Sequence, residues 1–148
     1  KAILEKRAPL YLDVQRRAES LMYNSSQIFD IKFRNSILKY KPQIELLASK
    51  NVKTAYLEFC KFIADRYDNY LSFCNQNDPR NDSKNFYIEY DEDGDEVEMP
   101  LFHDEDIEYF ESQEKKYKEE NCPTADKLKT YIDRLYEAMR KDLGSDKK

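Results

Sequence analysis

Residues 85–101 read NFYIEYDEDGDEVEMPL, and there the hydrophobic period drops from the helical 3.6 to 2. Asp93-Gly94 sits at the centre. Asp-Gly between two alternating runs is a strong signal for a two-residue hairpin loop. A turn centred on that pair sets Tyr90 against Val97, Ile88 against Met99 and Phe86 against Leu101, so that one face is wholly apolar. The other face then sets Glu89 against Glu98 and Asp91 against Glu96. A slip of one residue would exchange the two faces. Pro100 has no N–H to give a ladder, so it fits only an outer edge.

Outward from this hairpin the pattern is helical. Upstream, residues 2–23 carry Tyr11, Val14, Ala18, Leu21 and Met22 at spacings that share a face, with Pro9 marking either a kink or a start. Residues 27–49 carry Phe33, Ile37, Tyr40, Ile44 and Leu47 across Pro42. That predicts a kinked helix, or two stacked helices in its place. Residues 52–75 form a longer helix with Asn51 as its expected N-cap and a stripe of Val52, Tyr56, Phe59, Ile63, Tyr67 or Tyr70, and Phe73.

Downstream, residues 104–120 read as a short, highly charged helix anchored by Ile107, Tyr109 and Phe110. A last helix follows Pro123, with Thr124 as N-cap, a face of Leu128, Tyr131, Ile132, Leu135 and Met139, and Gly144 as its stop. The tail, residues 145–148, is expected to fray. The expectation is a mainly α fold: one domain over residues 1–148, an antiparallel bundle of about four main helices. The hairpin and short acidic helix, at about 85–120, are inserted before the last helix.

Composition agrees with a folded helical chain. Of 148 residues 40% are hydrophobic and 14% aromatic, with 12 Tyr and 8 Phe, which is unlike a disordered segment. Only 2 Gly are present, too few for either Gly-rich phosphate-binding loop. Cys60, Cys74 and Cys122 are odd in number and lack a CxxC pair, which suits a reducing compartment. No run of 18 apolar residues exists to span a bilayer.

Charge is distributed unevenly. Residues 89–111 hold twelve acids and no Lys or Arg, and 89–120 carry a net −12 against −5 for the chain, which leaves +7 elsewhere. The residues singled out for interaction are Glu89, Asp91, Glu92, Asp93, Asp95, Glu96 and Glu98. Like charges opposed across a hairpin are destabilising, so a cationic partner would relieve a cost that the expected register leaves. An EF-hand fails in both frames, because Pro100 or Glu96 falls where Glu or Gly is needed.

Other chemistry is thin. His103 is the lone His and reads as an exposed residue at the hairpin's end. Zinc requires Cys and His at close spacing, which the chain does not supply. Cys60 and Cys74 read as core residues, while Cys122, beside a helix N-terminus, is the best placed thiol for reactivity. The basic residues Lys32, Arg34, Lys39, Lys41, Lys50 and Lys53 are scattered, which does not suit nucleic acid. No catalytic residue, metal ligand or cofactor site is assigned.

Three strings resemble a bacterial class of small helical domains that follow a single N-terminal membrane segment. They are KRAPLYLDVQRRAESLMY at 6–23, LLASKNV at 46–52 and AMRKDLG at 138–144. The class has no assigned activity. The resemblance implies an anchor upstream of Lys1, with this domain on the cytoplasmic side of the inner membrane and itself making no membrane contact. The function expected is a non-enzymatic protein-interaction or assembly domain, with a protein partner or a second copy as ligand. The alternative is a metal-dependent hydrolase or nuclease accessory using the arm's carboxylates.

Overall fold

The computed structural model describes residues 2–144, and the tail expected to fray lies outside them. Among the described residues the helices are α1 (Ala2–Tyr23), α2 (Ile31–Leu38), α3 (Lys41–Leu47), α4 (Lys50–Asn77), α5 (Asp104–Asn121) and α6 (Ala125–Asp142). Strands β1 (Phe86–Tyr90) and β2 (Glu96–Pro100) form a two-stranded antiparallel sheet between α4 and α5. The fold is mainly helical with an inserted hairpin. The chain divides into two units, Asp68–Asn121 and the remainder.

In the larger unit α1 runs through Pro9 without beginning there. Tyr11, Val14, Ala18 and Leu21 are buried, and Met22, one step off their spacing of three and four, is exposed. Helices α1 and α6 are antiparallel: Arg7 and Tyr11 bond to Asp142, while the Tyr136 hydroxyl donates to the Gln15 carbonyl at 3.0 Å. The first part of α4 also runs antiparallel to α6, with Glu58 beside Arg134 and Phe62 stacked on Tyr131 at 4.5 Å.

The stretch around Pro42 forms two helices. A continuing helix would drive the proline ring into the carbonyl four residues back and leave that carbonyl unbonded. The chain breaks at Lys39 and Tyr40, and Pro42 enters the first turn of α3, where its missing N–H costs nothing. Phe33, Ile37 and Ile44 nevertheless keep their buried face across the break.

The start of α4 differs from expectation. The cap is Ser49, whose Oγ accepts the Val52 N–H at 3.4 Å, and Asn51 lies exposed inside the first turn. Serine three residues before Val52 reaches the N3 donor, which Asn51 is too close to reach. Helix α6 is capped as its sequence implies. Thr124 Oγ1 accepts the Lys127 N–H at 3.2 Å, and Gly144 takes φ +80 after the last turn.

The smaller unit holds the end of α4, the hairpin and α5. The two helices are antiparallel there: Tyr70 lies 6.1 Å from Tyr117 and Phe73 lies 6.1 Å from Phe110, while Phe73 also stacks on Tyr117 at 4.4 Å. Ile107, Phe110, Glu114 and Tyr117 follow the 3-4-3 spacing of one helical face. Tyr109 falls off that face and is 67% exposed, whereas Phe110 is 2% exposed. Tyr109 therefore is not an anchor, and Tyr117 takes its place. No helix among the described residues is long and apolar enough to cross a membrane.

Candidate interaction surface

The hairpin's register is shifted by one residue from the expected pairing. Tyr90 faces Glu96, Glu89 faces Val97, Ile88 faces Glu98, Tyr87 faces Met99 and Phe86 faces Pro100. The loop explains the shift. The Gly94 N–H donates to the Asp91 carbonyl at 3.0 Å and the Asp91 N–H to the Asp95 carbonyl at 3.0 Å. Among the described residues no non-glycine has positive φ, and Gly94 sits at +80.

A two-residue type I′ loop needs positive φ at both central residues, which Asp93 does not adopt. The loop is instead a type I turn over Asp91–Glu92–Asp93–Gly94 that ends in a left-handed glycine bulge. It uses three residues where two were expected. Asp91 seals it: its carboxylate Oδ1 accepts the N–H groups of Asp93 and Asp95, each at 2.9 Å.

The shift redistributes charge. In the expected register Glu89 opposes Glu98 and Asp91 opposes Glu96. In the observed one Glu89, Glu96 and Glu98 each face an apolar side chain. The like-charge cost anticipated across the strands is thereby avoided within the ladder, and only Asp91 and Asp95 remain opposed, at the loop. Repulsion does not carry the case for a partner.

The shift also changes which apolar groups lie open. Directly opposed residues share a face, so one face carries Phe86, Ile88, Tyr90, Glu96, Glu98 and Pro100. Phe86 is tied down by an edge-to-face contact with Phe102 at 5.3 Å. Beyond it Ile88 is 55% and Tyr90 68% exposed, with Glu98 and Glu96 beside them. On the other face Tyr87 and Val97 are exposed around Glu89. The Tyr87 hydroxyl bonds to Glu89, and that bond, with the carboxylate's charge, raises the phenol's pKa.

All seven interaction candidates are exposed. Glu89 lies in β1, Glu96 and Glu98 lie in β2, and Asp91, Glu92, Asp93 and Asp95 make the loop. One carboxylate oxygen from each of Asp91, Asp93 and Asp95 can lie within 4.8 Å of the others. A calcium site takes six to eight oxygens, so these three would leave half or more of the shell to water. A hollow of about 440 Å³ runs along α5 beside Tyr109, Gln113 and Tyr117, and none of the seven acids lines it. Sequence reasoning missed Ile88 and Tyr90 as surface residues, because an all-apolar cross-strand face reads as core. The signal was present in the loop: Asp at the first position and Gly at the fourth is the pattern of a type I turn.

The remaining candidates are set apart from this surface. His103 precedes α5, its N–H donating to the Asp106 carboxylate at 2.8 Å, and is exposed. Cys60 and Cys74 are buried free thiols in α4. Burial pushes the Cys60 pKa up to about 11 and raises that of Cys74, which keeps both protonated and poorly nucleophilic. Cys122 is half-buried, its Sγ 3.0 Å from Ser25 Oγ. Comparison of the chain with protein-family models, curated proteins and solved structures finds no match.

Proposed function

We propose that the chain is a non-enzymatic protein-interaction domain whose acidic hairpin binds a basic partner. One observation carries the reading: Ile88 and Tyr90 stand exposed on a hairpin whose only charged side chains are acidic. Adjacent exposed apolar groups rimmed by charge of one sign favour a partner that covers the first and neutralises the second. The test is quantitative pull-down from the native host with wild type and with Glu89, Glu92, Asp93, Asp95, Glu96 and Glu98 changed to their amides. Recovery is expected to fall at least tenfold in the variant, and in the wild type at raised salt. Unchanged recovery rules the arm out.

The cytoplasmic, membrane-tethered placement belongs to the same proposal. It rests on the resemblance of residues 6–23, 46–52 and 138–144 and on three free thiols. Sedimentation of the native gene product with membranes, resistant to an alkaline wash, is its test; release into the supernatant refutes the tether.

A second reading, a metal-dependent hydrolase or nuclease accessory, is favoured by the approach of Asp91, Asp93 and Asp95. A cation held by the folded state must stabilise it. A melting temperature unmoved by millimolar Mg²⁺, Mn²⁺ or Ca²⁺ removes that reading.

A further inference from the structure

A two-stranded sheet has two outer edges, and in this hairpin they are not equivalent. Backbone groups in an antiparallel pair point alternately toward the partner strand and away from it. Hydrogen bonds at Asp91 with Asp95 and at Asn85 with Leu101 bracket the ladder, so the inward positions are the odd-numbered ones. The N–H and C=O groups of Phe86, Ile88 and Tyr90 therefore point outward from β1. Those of Glu96 and Glu98 point outward from β2, as does the carbonyl of Pro100.

The β2 edge is blunted twice. Pro100 has no N–H at an outward position, and Glu96 and Glu98 flank the other two donors. Proline and charge are the usual devices that stop a strand from adding to an edge. The β1 edge has neither at its outward positions, which are all apolar. Among the described residues no backbone group of another segment bonds to Ile88 or Tyr90.

We infer that the β1 edge is a strand-addition site, and that its occupant is an extended partner segment alternating apolar and basic residues. This rests on the interaction reading above and specifies how the partner is held. An added strand pairs with the outward groups of Ile88 and Tyr90. Its apolar side chains then lie beside theirs on one face. Its intervening residue stands beside Glu89 on the other face, which selects Lys or Arg there. Charge complementarity favours this occupant over a second copy of the chain, since two copies would bring together two arms of net −12.

The experiment uses the full chain and two synthetic octapeptides alternating Val and Lys, one unmodified and one N-methylated at every second residue. N-methylation removes the donors of one strand edge and keeps the charge. The unmodified peptide is expected to bind with salt-sensitive affinity and to slow amide exchange at Ile88 and Tyr90. The N-methylated peptide should bind at least tenfold more weakly. Ile88→Pro should match that loss, whereas Glu98→Pro, on the blunted edge, should not.

Equal binding of both peptides, lost when Glu89, Glu96 and Glu98 become Gln, overturns strand addition and leaves the interaction reading standing. Failure of both peptides to bind at millimolar concentration overturns both readings. Exchange protection of Ile88 and Tyr90 in a self-associated chain without peptide assigns the edge to a second copy and overturns the basic-strand occupant.

Discussion

Two residues decide the hairpin, and each makes a separate prediction. Gly94 holds φ +80, and a Cβ there would meet no described atom within 4 Å. The cost of Gly94→Ala is then purely conformational, about 1 kcal/mol, and Gly94→Asn should cost less because Asn tolerates the left-handed region. Thermal unfolding of the two variants measures the difference, and equal stability of Ala and Gly there contradicts the turn assignment. Asp91 accepts two backbone N–H groups, so Asp91→Ala should weaken the loop's local protection in amide exchange. In the larger unit, the buried Tyr56 hydroxyl donates to the Ile37 carbonyl at 2.6 Å. Removing it with Tyr56→Phe is expected to cost about 1–2 kcal/mol in urea unfolding, because that buried acceptor loses its short hydrogen bond.

At the scale of the element, helices are legible in this sequence and the strand register is not. A helical face is set by several residues at once: Val52, Tyr56, Phe59 and Ile63 cannot all move to solvent by a local adjustment. The register depended on the loop alone. No residue of either strand is buried, and only Phe86 and Met99 are partly covered, so burial does not fix the register and the turn chooses it. The exposure of the seven acids was legible from charge, but their apolar neighbours could not be assigned to the surface without the register. Helix α5 shows how fine the helical signal is: Phe110→Ala should cost about 3–5 kcal/mol and unfold the smaller unit, while its exposed neighbour in Tyr109→Ala should change little. Similar losses in both variants would contradict the assigned face. Ser49→Ala should lower stability by up to about 1 kcal/mol and Asn51→Ala by less than about 0.5, which separates the observed cap from the expected one.

For the whole molecule, the tyrosines set the response to alkali. Burial is the first cause raising the pKa values of Tyr11, Tyr56 and Tyr70 above the usual 10.0, and Tyr136 is pushed up to about 12. The unfolded chain releases these protons near the usual value, while the folded chain retains them. Their stabilisation is therefore complete below the unfolded values and is lost as pH rises past them. Urea unfolding should show constant stability up to about pH 8, where the Cys60 thiol, raised by burial from its ordinary 9.0 to about 11, begins the loss. Above pH 10 it should fall by about 1.4 kcal/mol per pH unit for each of Tyr11 and Tyr56, which are almost wholly buried. A profile flat to pH 11 would show that these phenols reach solvent. The unequal edges of the hairpin carry a consequence of another kind, for valence. Growth of a β-fibril requires units that are open on both sides, each capturing the next. With β2 closed by Pro100, this hairpin is monovalent. Two copies joined through β1 would present only closed edges, so any pairing ends the chain of addition instead of starting one.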